Sequence, residues 1–557
     1  MMLSGCHPCQ LGLSSSTSNS LKTTQLLGPT RAAPPCARRQ INWSPTRRSR
    51  LLANGFLEDD IKARSPLNPS EDLINPDFAP TPASARTWSA TDMATFWITL
   101  VISIPTYMLA ASLMDLGMAW QQALVTVLVG NSITLLPMQL NGHPGVKFGV
   151  PFPVLARSSF GIVGANVPSI TRALVACGWF GIQTWVGGSC IYQILALLDK
   201  TVASAPALPG LGISLPQLAC FAFFWATQVW VVLRGMESIR VLERYSAPVL
   251  IFLSLLLLGW AVQTAGGFGP MLSAPSLFSP GMPKAGQFWG VFWPAVTAQV
   301  SFWATLSLNI PDFTRYAHSQ RAQALGQAIG LPLTMVLFTF LGVAVTSASA
   351  VIYGAPITDP VQLLGKMEGT LPICLSLFGL TAATLTTNVA ANIVAPANAF
   401  INISPKNITF QAGALLTASL GAIIQPWKLV SSTSSFISTW LCGYSVFLGP
   451  VIGIILSDYY IVRKRELDLD SLYQKGERSA YWYKGGWNPA ALAALAAGVL
   501  PCLPGLLQQT GSLSGLSSFW GALYSCAWFV GVLVSSLVYV MLMAPGSHRS
   551  SVQAASY

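Results

Sequence analysis

Ala176-Cys-Gly-Trp-Phe-Gly-Ile-Gln-Thr-Trp-Val-Gly187 sits inside an apolar run that carries no charge from Ala173 to Leu198. A charge-free run longer than about 20 residues is what a helix needs to cross a bilayer. Burial in lipid asks only for apolar side chains, yet this stretch holds two tryptophans and a carboxamide. Trp179 and Gln183 are four apart, so on a helix they share one face about one turn apart, an aromatic platform beside a two-way hydrogen-bonding group. That pair suits a planar, polar, uncharged ligand. The competing reading is a core tryptophan and a glutamine that bonds two membrane helices together.

The rest of the chain repeats the apolar pattern. Its 557 residues are 9% charged and 52% hydrophobic, with a mean hydropathy of +0.55, outside the range of soluble domains. Charge-free stretches run from Thr201 to Leu233, Tyr245 to Pro283, Ala285 to Pro311, Ala322 to Thr358, Gly369 to Pro405, Asn407 to Trp427, Leu429 to Ser457 and Gly485 to Ser547, the last long enough for two helices. With segments near 92–113, 119–140 and 161–198 they make twelve expected spans. The runs are continuous and lack the alternation of a barrel, so the fold class is an all-α polytopic membrane protein of twelve transmembrane helices, residues 88–545.

The net charge of +11 is concentrated at the N-terminus. Lys22, Arg31, Arg38, Arg39, Arg47, Arg48 and Arg50 precede the first acidic residue, Glu58, in a stretch crowded with Ser and Thr. Such a leader reads as a plastid transit peptide over residues 1–55, with a cytosolic tail as the alternative; it gives no reason to expect a nucleic-acid partner. Residues 56–87 form a polar, Pro-rich segment on the inner side, and 546–557 a short tail. Inner loops and their flanks then hold nineteen Lys and Arg, against Lys200, Lys284, Lys366 and Lys428 outside, which supports twelve spans with both ends inside. Apart from the N-terminal cysteines, Cys residues fall in apolar spans as small hydrophobes and imply no disulfide framework.

Three further stretches carry chemistry. Ser103-Ile-Pro-Thr106 lies at mid-depth of the first span, where proline removes a backbone donor and frees a carbonyl one turn back, a way to hold a cation or polar solute. The span near 286–311 has a less obvious break: Pro294 lies early in it, Gln299, Ser301 and Trp303 lie near its middle, and Asn309-Ile-Pro-Asp-Phe-Thr-Arg315 closes it. In Ala382–Pro396, Ala383, Thr386 and Thr387 lie at i, i+3 and i+4, so neutral oxygens share a face, as a hard monovalent cation requires. Asn388 and Asn392 are one turn apart there, and Asn392 offers both a donor and an acceptor. Helix packing is the competing reading for these small polar residues. No Asp, Glu or His falls at mid-depth: Asp92, Asp312 and Asp458 sit at span ends, and His143 and His318 near loops. The spans therefore offer no metal site, carboxylate dyad or histidine-based nucleophile.

Trp179-Phe-Gly-Ile-Gln-Thr-Trp185, the tract Trp303–Arg315, Ala383–Asn392, and Ser457-Asp-Tyr-Tyr-Ile-Val-Arg463 with Leu472-Tyr473 and Tyr481-Trp482 together resemble the nucleobase cation symporter-1 family. The likeness runs from Asn68-Pro-Ser70 to near Val540. It implies a leucine-transporter-like fold of two inverted five-helix repeats followed by two C-terminal helices. It also implies that Trp179 and Trp303 sandwich a planar substrate while Gln183 and Asn392 bind its edge, and that a cation sits on carbonyls near Thr99 and Ile102 with Ala383, Thr386 and Thr387. Phe302 stands where the bacterial hydantoin-transporting member has glycine and Ser103 where it has glutamine, and both border the substrate; Leu385 and Val389 also differ.

These readings converge on a secondary active transporter, not an enzyme, without a cofactor. It is expected to carry adenine, guanine, uracil or allantoin across the plastid envelope, at the inner membrane, coupled to sodium or a proton. The alternatives are a carrier of another small planar or amino-acid-like solute, or a non-transporting sensor on the same fold. The expected partners are the nucleobase and the lipid bilayer.

Overall fold

The computed structural model describes residues 65–75, 78–234 and 236–544; the leader expected at 1–55 and the tail at 546–557 lie outside them. Among the described residues helices dominate, and strand-like pairing is limited to isolated bridges such as Trp88 with Ala317. The first expected span is two helices, α1 (Ala90–Val101) and α2 (Ile104–Asp115), bent by 61°. Ser89 starts α1 with a reciprocal capping box to Asp92, which satisfies backbone donors the first turn leaves free. Between the halves Ile102 and Ser103 leave helical geometry, Ser103 being fully extended. Pro105 has no N–H to give the Val101 carbonyl, and near the start of α2 that missing donor costs nothing.

The other expected spans follow in order. They are α3 (Trp120–Phe148), α5 (Asn166–Leu198), α6 (Leu215–Leu233), α7 (Met236–Thr264), α8 (Phe288–Phe302) with α9 (Ala304–Asn309), α10 (Gln320–Tyr353), α11 (Thr370–Asn392) with α12 (Val394–Ile401), and α13 (Phe410–Ile423). A short helix, α4 (Phe152–Phe160), links α3 to α5. The last spans are α14 (Ser435–Val462), α15 (Pro489–Val499) bent by 48° into α16 (Leu503–Gln509), and α17 (Ser518–Ser525) bent by 83° into α18 (Ala527–Met543). Six of these helices are each long and apolar enough to cross a membrane, and three bent pairs qualify together.

Two expectations shift in detail. The second span is expected near 119–140, but α3 continues to Phe148 with Pro144 inside it and stops only at Gly149, whose φ of 73° is a left-handed cap that glycine adopts without strain. His143 thus lies in the last turns of a long helix, buried, with Nδ1 2.9 Å from the Tyr459 hydroxyl. The break in the sixth span is not at Pro294, which α8 accommodates; it falls at Trp303. The first and sixth spans are therefore both interrupted, and each opens one of the two five-helix repeats.

Helices α5 and α14 form the centre, each buried over 78% of its most apolar window, whereas α6 is buried over 33% and faces outward. Glycine permits the closest approach: a Cβ on Gly181 of α5 would meet the Gly421 carbonyl of α13. At one end, Asp458 on α14 is fully buried and fully bonded. Its Oδ2 accepts from Ser158 Oγ at 2.9 Å and Arg463 Nε at 2.8 Å, and its Oδ1 accepts from the Tyr539 hydroxyl at 2.8 Å. Arg157 of α4 donates to the carbonyls of Leu73 and Leu472 and to Asn402 Oδ1. The Tyr473 hydroxyl donates to the Phe78 carbonyl at 2.6 Å. The described part of the 56–87 segment is thus tied to the loop after α14.

Candidate functional site

The two breaks and the neighbouring faces of α5 and α11 enclose a cavity of about 40 Å³. It is lined by Ser103, Trp179, Gln183, Phe302, Trp303, Thr387 and Asn392, with Leu100, Pro105, Thr305, Leu306 and Ala391. All six residues expected to touch substrate therefore meet in one place, though they come from four spans. The breaks contribute backbone as well: a non-helical turn at Ser103 and another at Trp303 leave backbone groups free to face inward at mid-span, which an unbroken helix forbids, while α5 and α11 present side chains.

The cavity contains no charged side chain among its lining residues, but it does contain unpartnered polar atoms. Trp303 Nε1 and Thr387 Oγ1 are buried without a hydrogen-bond partner among the described residues. Each such group costs about 1–3 kcal/mol to leave unsatisfied. Phe302 meets Trp179 edge-on at 5.2 Å and Trp303 edge-on at 5.0 Å, so its ring stands against both indoles. Trp97 braces Trp303 from behind at 5.3 Å.

Asn392 is 8% exposed, and its Nδ2 donates to Asn388 Oδ1 at 2.9 Å. The amide expected to serve as both donor and acceptor thus has one of its two N–H groups engaged inside the protein. Gln183 has no hydrogen bond among the described residues. Behind Asn392 lies a buried network that sequence reasoning missed, formed by Asn388, Thr184 and Gln228 of α6, all fully buried. The available signal was a carboxamide, Gln228, far from the capped first turn in the apolar run of α6.

The five residues expected to hold a cation are not gathered in the same way. Thr387 lines the cavity, while Thr99, Ile102, Ala383 and Thr386 do not. The Thr386 hydroxyl donates to the Ala383 carbonyl at 2.8 Å, and Thr99 donates to the Thr95 carbonyl at 2.9 Å. Two of the hydroxyls therefore bond within their own helices.

Beyond the cavity is a vestibule of about 530 Å³, lined by Trp185, Ser189, Gln217, Asp359, Gln362, Trp427, Lys428 and Phe436 among others. Phe436 also meets Trp179 edge-on at 6.1 Å, which puts its ring in the wall between the two spaces. Burial raises the Asp359 carboxyl above its ordinary value.

A family model described as permeases for cytosine and purines, uracil, thiamine and allantoin matches residues 80–531. The chain is 49% identical over 507 residues to the purine-uracil permease NCS1 of Arabidopsis thaliana, covering 91% of this chain and 83% of that one. It is 40% identical over 487 residues to the allantoin permease of Bacillus subtilis, covering 87% and 96%. Among solved structures it resembles Mhp1, a nucleobase-cation-symport-1 family transporter in a closed conformation with bromovinylhydantoin bound. That likeness has a TM-score of 0.66 at 24% identity and covers 85% of this chain and 95% of that one; at this identity it speaks for the fold.

Proposed function

Because the chain belongs to the family of permeases for cytosine and purines, uracil, thiamine and allantoin, we propose that it carries adenine, guanine, uracil or allantoin across its membrane together with a cation. The lining of the cavity carries this reading. Two indoles, a phenyl ring, two carboxamides and hydroxyls converge there without a charge, which matches a flat neutral heterocycle with a polar rim. Stacking on one aromatic face is worth about 1–3 kcal/mol per base, and micromolar binding needs about 8 kcal/mol. An amino-acid-like solute would bury an ammonium and a carboxylate with no opposite charge beside either, at several kcal/mol for each ion. The names of the plant and bacterial relatives, a purine-uracil and an allantoin permease, support the same class. Phe302, pressed between the indoles, favours small rings over substituted ones.

Two finer points belong to the same proposal. The coupling ion is sodium: beside the cavity-lining Thr387 hydroxyl stands the Ala383 carbonyl, which also accepts from Thr386, so neutral oxygens are at hand, and no carboxylate lines the cavity to carry a proton. Residues 1–55 direct import into plastids, which sets the transporter in the envelope.

Uptake of radiolabelled adenine, guanine, uracil, cytosine and allantoin in a permease-deficient host, with and without a sodium gradient, tests the main reading. Saturable uptake of at least one is expected, and uptake of none would overturn it. Uptake indifferent to sodium but abolished by a protonophore would replace sodium with a proton. A fluorescent fusion of residues 1–55 that stayed in the cytosol would remove the plastid assignment.

A further inference from the structure

The buried network behind Asn392 has a fixed direction, and the direction can be read from chemistry alone. The Phe180 carbonyl can only accept, and the Thr184 hydroxyl donates to it at 2.7 Å. The Thr184 oxygen is then left as an acceptor, so Gln228 must approach it with its amide nitrogen, and Nε2 lies 2.9 Å away. Gln228 Oε1 consequently faces Asn388 and accepts from its Nδ2 at 2.7 Å, while the same nitrogen reaches the Phe180 carbonyl at 3.0 Å. With both N–H groups of Asn388 engaged, its Oδ1 accepts from Asn392 Nδ2 at 2.9 Å. Every amide orientation follows from the backbone carbonyl at the start of the chain rather than from a free choice of flip.

We propose that Gln228, acting through Asn388, is a positioning residue that holds the Asn392 carboxamide with its carbonyl available to the cavity, and so selects a substrate edge that presents a hydrogen-bond donor there. The inference rests on the nucleobase reading above. Trp179 and Gln183 occupy the cavity face of α5, whereas Phe180 and Thr184, one position on, face Gln228 and Asn388. One helix thus presents the ligand surface on one side and anchors the relay on the other. Gln228, Asn388 and Thr184 are fully buried, where a hydrogen-bonded amide resists rotation because a wrong orientation leaves polar groups unpaired. Gln183, held by no such network, can turn to meet either kind of edge.

Uracil and cytosine, and likewise hypoxanthine and adenine, are near-isosteric pairs in which a ring N–H and carbonyl are exchanged for a ring nitrogen and an amino group. Dissociation constants for these four bases are measured on the purified full-length protein. The wild type is expected to separate the members of at least one pair by about tenfold or more, the effect of one mispaired group. In Gln228→Leu Asn388 loses one of the bonds that orient it and keeps the one to the Phe180 carbonyl, so the ratio should fall part of the way towards one as the disfavoured base gains affinity through a loosened Asn392, a change that structural damage does not produce. Gln228→Glu, protonated at this depth, keeps a donor for Thr184 and an acceptor for Asn388 and should restore the wild-type ratio. Gln228→Met replaces the leucine variant if that one does not insert. An unchanged ratio in the leucine or methionine variant, an equal loss for both members, or a wild-type ratio near one in both pairs would overturn the relay while leaving the nucleobase reading intact. Failure of the wild type to bind any of the four would overturn both.

Discussion

The cavity and the Asp458 cluster are both polar, both buried and both built from several helices, yet they are opposite in one respect. Around Asp458 each carboxylate oxygen has a donor, and the guanidinium of Arg463 also bonds the Ser158 carbonyl at 2.9 Å and lies 4.6 Å over the Tyr481 ring. In the cavity, the Trp303 indole nitrogen and the Thr387 hydroxyl are buried with no partner among the described residues. A satisfied buried charge holds helices together; an unsatisfied neutral group is a cost the protein carries until a ligand meets it. Substitutions in the two regions should therefore move stability and binding in different directions.

The largest effect is expected at the satisfied end. Asp458→Ala strands a largely buried arginine and should lower the unfolding free energy by about 3–5 kcal/mol, read as a loss of thermal stability in detergent. Base affinity of the fraction that remains folded should be unchanged; a selective loss of affinity with intact stability would erase the contrast.

Next comes Trp179→Ala, which should weaken base binding by about 1–3 kcal/mol, or about five- to 150-fold in Kd. Trp179→Phe should fall between alanine and wild type, since a smaller ring keeps part of the π-surface. Equal transport by the alanine variant and the wild type would make this tryptophan a packing residue only.

Thr387→Val should act with opposite signs on the two observables. Removing an unpartnered buried hydroxyl stabilises the ligand-free protein by about 1 kcal/mol, while the sodium concentration needed for half-maximal uptake rises. If base affinity falls and the sodium requirement does not change, the hydroxyl belongs to the base rather than to the ion.

The smallest effect is expected outside the membrane, at Asp72 and Lys475, which pair at 2.9 Å with side chains 55% and 43% exposed. The hydrogen bond from Lys475 holds the Asp72 carboxyl below its ordinary value. Its contribution is therefore present above the usual carboxylate pKa and is lost as pH falls through the lowered one. Asp72→Asn should leave thermal stability unaltered between pH 5 and 7, about where exposed pairs matter little. A clear drop would show that the segment before α1 is clamped by charge.

The sequence by itself determined the class of fold and most of the membrane-spanning segments, because lipid burial imposes long charge-free runs that need no partner to be recognised. It also marked Pro105 as the break in the first span, since proline acts on its own backbone. Trp179 and Gln183 stood out as a pair because helical spacing alone puts them on one face. Only the tertiary structure decided the rest. Trp303, with no proline beside it, became the second break. Phe302 came to stand against both indoles, and Thr387 came to line the cavity while Thr386 bonded within its own helix. Gln228 came to accept a hydrogen bond from an amide 160 residues away in the chain. A hydrogen bond between helices has no period and no fixed spacing, so its partners become legible only when packing brings the helices together.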